Sequence, residues 1–152
     1  MPAICKQHDH CLKTALDQAE KVCQENDARL TEVRRRVLEL IWAGHEPVKA
    51  YDLLTELQKN DPSAKPPTIY RALDFLLEQE LIHKLHRLNA YVGCTHPEEN
   101  KPCFFLICTN CNSVTESHDD AYRKLIAKVS KSYHFRPQAT TFEMEGLCQQ
   151  CA

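Results

Sequence analysis

The chain has 152 residues, of which 43% are hydrophobic and 26% are charged, and its formal net charge is −2. This composition predicts one ordinary domain or two small ones and excludes a disordered polyelectrolyte. No apolar stretch approaches the roughly 18 residues of a membrane span, and the first residues lack the apolar core of a signal peptide, so we expect a cytoplasmic protein. Three glycines leave no room for a glycine-rich phosphate loop, which argues against a nucleotide-dependent enzyme.

The first half of the chain predicts four amphipathic helices followed by a hairpin. Thr31 is suited to cap the second helix, and the prolines after Lys65 are tolerated in the first turn of the fourth. Two β-prone runs, residues 81–88 and 91–94, flank Asn89-Ala90 and predict the hairpin. This order is typical of a winged helix-turn-helix, although a helical bundle with a β-arm also fits. Apolar residues recur at helical spacing in segments 12–23, 33–41, 50–57 and 69–77.

Basic side chains cluster locally in this half, although the whole chain is nearly neutral. Tyr70 and Arg71 lie near the N-terminal end of the fourth helix, where a recognition helix meets base edges. Lysine and arginine neutralise phosphates and give nucleic-acid binding its salt dependence, although any single cation can equally belong to a solvated face. The clustered cations are Arg29, Arg34, Arg35, Arg36, Lys65, Arg71, Lys84 and Arg87.

Nine cysteines are many for a chain without a secretion signal, and they indicate metal binding more than disulfides. Cys108 and Cys111 form one C-x-x-C pair, and Cys148 and Cys151 form a second pair after 36 intervening residues. Two such pairs complete the tetrahedral four-sulfur shell of structural zinc, whereas a redox dithiol would explain only one pair. A helix over 119–131 and strands over 103–108 and 139–144 are predicted around and between the pairs.

Two further groups have the spacing of metal ligands. His83, Cys94 and Glu116 straddle the junction of the two halves, where a metal would couple them. The second group lies at the N-terminus, where a solvated tail or the start of the first helix is the alternative to a site. Its members are Cys5, His8, His10 and Cys11.

Residues 65–79, KPPTIYRALDFLLEQ, closely resemble the Fur family of bacterial metalloregulators, and within it the zinc-sensing branch. Residues 29–38, RLTEVRRRVL, and 50–54, AYDLL, are similar to two more segments of that family. The resemblance extends from about Ala19 to Cys151. It implies an α+β fold, in which a winged helix-turn-helix domain precedes a small α/β dimerisation domain with structural zinc. We place the DNA-binding domain at 1–88, the hinge at 89–97 and the dimerisation domain at 98–152.

The resemblance also implies two zinc ions in each subunit. One is structural and is held by the four cysteines of the C-x-x-C pairs, and the other is regulatory and lies at the hinge. Matching positions of the regulatory site hold His83, Cys94 and Glu116. We expect His96 as its fourth ligand, with Cys103 as the competing candidate because the loop before the first C-x-x-C pair departs from the family pattern.

By family position, Arg71 and Tyr51 are expected to lie near DNA bases, and Tyr70 to meet a base or the backbone. Lys65 and Arg34 are expected to contact phosphates. The resemblance implies a homodimer that binds a palindromic operator, with half-sites about one helical turn apart.

The function implied is a zinc-responsive transcriptional repressor that controls zinc uptake and homeostasis genes, with no membrane partner and no small-molecule substrate. A regulator of the same family that senses iron, another metal or peroxide is the main alternative. A zinc deaminase is disfavoured, although His96-Pro97-Glu98 copies its H-x-E motif, because Ile107 stands where that class has proline before C-x-x-C. A structural protein in which zinc only staples a dimer is the remaining alternative.

Overall fold

The computed structural model describes residues 8–99 and 102–152, and the chain divides after Glu99 into two compact units. Within the first range, four helices precede a two-stranded sheet, which is the predicted winged helix-turn-helix. None of the described helices combines the length and the apolar character that crossing a membrane requires. The elements of the first unit are α1 (His8–Glu25), α2 (Glu32–Trp42), α3 (Ala50–Gln58), α4 (Pro66–Glu78), β1 (Ile82–Leu85) and β2 (Ala90–Gly93).

The ends of the helices follow the predicted signals. The side chain of Thr31 caps α2 by accepting a hydrogen bond from the Arg34 amide at 3.4 Å. Helix α4 begins at Pro66, whose missing N–H would have no partner in a first turn. The amide of Lys65 donates to Thr68 Oγ1 at 3.2 Å and fixes the direction in which the chain enters α4.

The core of the first unit joins all four helices to the hairpin. Its burial orients α4 so that Ile69 and Leu73 face inward while Tyr70 and Arg71 face solvent. Removal of this apolar surface from water is the main term that stabilises the unit. Its largest fully buried side chains are Leu38, Ile41, Leu53, Ile69, Leu73, Leu76, Ile82 and Leu85.

The hairpin is shorter than predicted. Strand β1 ends at Leu85, not at residue 88, because the chain turns back through Asn89, whose φ of 48° is left-handed. Strand β2 pairs antiparallel with β1, and Val48 bridges Tyr91 on its other side. These pairings make β2 part of the first compact unit, which extends to Glu99.

The second unit is a three-stranded sheet with one helix, formed by β3 (Phe104–Cys108), β4 (Val114–Ser117), α5 (Asp120–Ser132) and β5 (Glu143–Gly146). Strand β3 is central, antiparallel to β4 and parallel to β5. Asp119 caps the predicted helix by accepting from the Ala121 amide at 2.7 Å. Strand β4 was not predicted, and β5 begins later than the predicted 139–144 because its pairing with β3 starts at Glu143.

The second unit has a sparse core. Among the residues described in it, only Phe105, Ile107 and Cys108 are buried apolar side chains. A unit of this size with so few buried groups needs a metal, a disulfide or a partner to be stable. Its exposed large apolar side chains are Leu106, Leu125, Val129, Tyr133, Phe135, Phe142, Met144 and Leu147.

Candidate metal centre and nucleic-acid interface

The two C-x-x-C pairs lie at one edge of the sheet in the second unit. Cys108 ends β3, and it is in register with Gly146, the last residue of the parallel strand β5. The turn after β3 carries Cys111, and the turn after β5 carries Cys148 and Cys151. The four sulfur atoms lie within 4.8 Å of one another, so strands that end side by side bring both pairs to one place.

Backbone amides hold the two turns together around the sulfurs. The amide of Thr109 donates to the Gly146 carbonyl at 2.8 Å, which ties the first turn to the end of β5. The amide of Cys148 donates to Cys108 Sγ at 3.4 Å. Hydrogen bonds of this kind favour a thiolate over a thiol, and a thiolate is the form that binds a metal.

The cysteines of the cluster differ in acidity because their neighbours differ. Amide donors from Cys111, Cys148 and Asn110 lower the pKa of Cys108 to about 6. The side chain of Asn110 also acts to lower the pKa of Cys151, but the neighbouring Cys148 and burial outweigh it and raise that pKa to about 11. The pKa of Cys148 is also lowered, chiefly by its hydrogen bond with Cys151, so two of the sulfurs ionise readily while Cys151 resists ionisation unless a cation is bound.

The distances fit zinc. Sγ of Cys111 lies 3.8 Å from Sγ of Cys148, which is too far for a disulfide bond. A tetrahedral ion with Zn–S bonds of about 2.3 Å separates its ligand sulfurs by about 3.8 Å. The four thiol donors, the sulfur–sulfur spacing and the small core of the unit all fit a structural zinc ion. A redox dithiol would need only one C-x-x-C motif and would not explain why the two motifs meet.

Glu116 lies on β4 in the same unit, where its Oε1 atom is 2.8 Å from Nε2 of His118. The side chain of Glu116 is 7% exposed, so a carboxylate and an imidazole meet with little water around them. His118 was not predicted as a site residue. His118 directly follows β4, two positions after Glu116, and because that strand has no alternating pattern the sequence carries no signal for this contact.

Three more predicted ligands of the regulatory ion, His83, Cys94 and His96, lie in the first unit. His83 is half-buried on β1, and Cys94, 6% exposed, directly follows β2 and donates its amide to the Leu81 carbonyl at 2.9 Å. His96 is exposed, with Nδ1 2.9 Å from Thr95 Oγ1. The competing candidate, Cys103, is half-buried just before β3 in the second unit.

The predicted DNA-contacting side chains are mostly exposed on α3 and α4. Tyr51 is 78% exposed and Tyr70 is 52% exposed, so both rings are accessible to a partner. Arg71 is exposed beside Tyr70, and Lys65 is exposed directly before the first turn of α4. The Lys65 cation can attract a phosphate, although the two prolines that follow it leave the first turn of α4 without N–H donors for it.

Arg34 differs from this group because it is half-buried. Its guanidinium lies 3.7 Å above the ring of Phe75 and donates to the Arg29 carbonyl at 2.7 Å. The next two arginines are also engaged, Arg35 with Glu20 and Arg36 with Glu39. Ion pairing therefore offsets much of the positive charge at the start of α2.

Known proteins are similar to this chain over most of its length. Residues 25–145 match the model of the ferric uptake regulator family. The zinc uptake regulation protein of Escherichia coli (strain K12) is 39% identical over 139 residues, which cover 90% of this chain and 80% of that protein.

Two solved structures are also similar. A zinc uptake regulator complexed with zinc and DNA matches with a TM-score of 0.85 and 36% identity, over 91% of this chain and 93% of that one. The holo form of XcZur matches with a TM-score of 0.81 and 40% identity, over 90% and 96% of the two chains.

Proposed function

The chain belongs to the ferric uptake regulator family, and we propose that it is a DNA-binding transcriptional repressor with zinc as its co-repressor. The observation that carries this function is the 39% identity to a zinc uptake regulation protein over nine-tenths of the chain. The structure similar at a TM-score of 0.85 is of a zinc uptake regulator bound to zinc and DNA. Genes of zinc uptake and homeostasis are the proposed targets.

We propose that Cys108, Cys111, Cys148 and Cys151 hold one structural zinc ion in each subunit. The support is their sulfur spacing and the sparse core that they border. When bound, a zinc ion would offset two of the four thiolate charges and would link the ends of β3 and β5. Binding to such a site contributes on the order of 10 kcal/mol to folding in small metal-dependent domains.

We propose that His83, Cys94, His96 and Glu116 hold a second, regulatory zinc ion. One thiolate, two imidazoles and a carboxylate suit zinc better than Fe(II), because thiolate is a soft ligand. Cys94 is buried and anchored through its amide, so its position is fixed by the hairpin. Ligands drawn from both halves would restrict the orientations of the DNA-binding domains and select those that fit an operator.

A homodimer would provide a second DNA-binding domain. Several apolar side chains of the second unit are exposed, among them Leu125, Val129 and Met144. Their exposure supports the proposal that a second copy of the chain covers them. A two-fold dimer matches a palindromic operator. Arg71, Tyr51 and Tyr70 are proposed to meet bases, and Lys65 and Arg34 are proposed to meet phosphates.

The experiment is an operator titration against free metal. A duplex selected from a random library in the presence of Zn(II) is labelled, and fluorescence anisotropy follows its binding at buffered Zn(II), Fe(II) or Mn(II). The proposal predicts binding that saturates at much lower free Zn(II) than free Fe(II) or Mn(II). Preference for Fe(II), or binding that no metal alters, would instead favour the iron- or peroxide-sensing alternative.

As a DNA-binding regulator, the protein is proposed to act in the cytoplasm. We propose no catalytic activity for it. The deaminase alternative has no support from the site, because the proposed structural ion uses both C-x-x-C pairs.

A further inference from the structure

Among the described residues, Tyr91 is the one buried tyrosine, and none of the sites above uses it. Its side chain is 5% exposed and belongs to the core of the first unit. The Tyr91 amide donates to the Val48 carbonyl at 2.8 Å, and the Tyr91 carbonyl accepts from the Val48 amide at 2.9 Å, two positions before α3 begins. Backbone pairing therefore fixes Tyr91 against the segment that leads into α3.

The Tyr91 side chain is also close to α4. Burial, and then the nearby side chains of Tyr70 and Asp74, raise the pKa of the Tyr91 hydroxyl. Tyr70 and Asp74 are four residues apart, so they lie on one face of α4. Tyr70 is itself one of the proposed DNA-contacting residues. The buried ring therefore joins the hairpin to the part of α4 that is proposed to meet DNA.

A lysine lies across from this tyrosine on the neighbouring strand. Lys84 of β1 is directly opposite Tyr91 of β2, so both side chains lie on the same face of the hairpin. Nζ of Lys84 lies 6.0 Å from the centre of the Tyr91 ring, at the outer limit of a cation–π contact. Lys84 is half-buried, which indicates that its aliphatic part lies along apolar surface while the ammonium group reaches solvent.

The charges of the hairpin also favour an anionic partner for Lys84. From Leu81 to Pro97 the sequence holds no aspartate or glutamate. Arg35 and Arg36 of α2, in contrast, each pair with a glutamate. The hairpin therefore contributes positive charge beside α4 without a carboxylate of its own to offset it, which raises the local attraction for phosphate.

We propose that Lys84 contacts a DNA phosphate and that Tyr91 is the positioning residue whose ring holds Lys84 beside α4. The inference rests on the proposed DNA-binding function, and it adds a contact from the hairpin to those proposed for α3 and α4. A lysine–phosphate contact carries no base information, so it should strengthen binding to any duplex. A lysine already held over a ring loses less side-chain freedom on binding than one that moves freely.

Lys84→Ala tests the phosphate contact through the salt dependence of binding. The affinity of the zinc-loaded full chain for the selected duplex and for a scrambled duplex is measured over a range of salt concentrations. The slope of log affinity against log salt should fall in magnitude by about 0.9 for each bound subunit, and both duplexes should lose affinity by the same factor. Lys13→Ala, which removes an exposed lysine from α1, should keep the wild-type slope.

Two substitutions test the positioning role of Tyr91. Tyr91→Leu removes the ring next to Lys84 and should lose the same part of the slope, whereas Tyr91→Phe keeps the ring and should keep the slope. Lys84→Ala combined with Tyr91→Leu should lose no more of the slope than Lys84→Ala alone. Zinc content and the free energy of unfolding show whether each variant is folded, and Lys84→Ala alone decides the phosphate contact if Tyr91→Leu does not fold.

The possible failures can be told apart. An unchanged slope in Lys84→Ala, or a loss of affinity for the selected duplex alone, would overturn the phosphate contact. Equal losses in Tyr91→Phe and Tyr91→Leu would overturn the role of the ring. A wild type that binds neither duplex at any zinc concentration would refute the proposed DNA-binding function itself.

Discussion

Gly93 lies directly against the indole of Trp42, so that a Cβ atom at Gly93 would lie 2.2 Å from Trp42 Cε2. The contact joins the end of β2 to the end of α2, and the next residue is the proposed zinc ligand Cys94. Only glycine lets the backbone come this close to the ring. The position of Cys94 therefore depends on a residue that has no side chain.

Gly93→Ala should destabilise the protein by about 1–3 kcal/mol, the usual cost of overpacking, because either the indole or β2 must move. Denaturant unfolding followed by the fluorescence of Trp42, the only tryptophan, measures this change. Gly44→Ala is the matched control, because its nearest neighbour is the Glu46 amide at 3.9 Å. Equal stability of the two variants would show that the packing at Gly93 tolerates a methyl group.

Cys108→Ser should remove the structural zinc and unfold the second unit, since the serine hydroxyl does not replace a thiolate in a four-sulfur shell. Metal analysis and size-exclusion chromatography should show the loss of zinc and of the dimer. Cys23→Ala, which removes a buried thiol of the first unit, should keep the wild-type zinc content. A stable zinc-free dimer of Cys108→Ser would refute the structural role of this ion.

The fourth regulatory ligand can be identified by comparing two variants. If His96 binds the ion, His96→Ala should weaken regulatory zinc binding by at least about 10- to 100-fold, because the loss of a group that only supports a ligand already has an effect of that size. Cys103→Ser should then leave the affinity near that of the wild type. Zinc affinity measured against a competing chelator decides the matter, and the opposite order of effects would assign the position to Cys103.

Arg71→Ala should weaken operator binding by about 1–3 kcal/mol, the range for the loss of one base contact, and should relax specificity at one base pair. Its zinc content should not change, because Arg71 is no metal ligand. Arg123→Ala is the control, since Arg123 lies on α5 and pairs with Asp120 at 2.9 Å. Anisotropy titrations with selected and scrambled duplexes separate specific from non-specific binding, and equal losses on both would reduce Arg71 to a phosphate contact.

Helix ends were the part of the fold that the sequence predicted best. Thr31 before α2 and the prolines at the start of α4 act within one helical turn. Their effect is therefore local and can be predicted from the sequence. The strands of the second unit were harder. Strand β4 is four residues long and half-buried throughout, which gives no alternation to detect, and the start of β5 is set by its pairing with β3.

The candidate sites show the same division between local and long-range information. The two C-x-x-C motifs carry their own geometry, so the four-sulfur cluster could be anticipated from spacing alone. In the N-terminal group, Cys5 lies outside the described residues, and Nδ1 of His8 is 3.3 Å from Nε2 of His45. Neither this contact nor the stacking of Arg34 on Phe75 has a sequence signature. Both depend on how helices and loops distant in the chain pack together.

The central claim is that metal held by Cys94 and its partners, and not the four-sulfur ion, controls DNA binding. The direct measurement is operator affinity of protein treated with chelator until only the four-sulfur zinc remains, before and after Zn(II) is restored, for the wild type and Cys94→Ser. The account predicts that the stripped wild type binds poorly and recovers with Zn(II), whereas Cys94→Ser stays folded and does not recover. Tight, selective binding by the stripped wild type would contradict it.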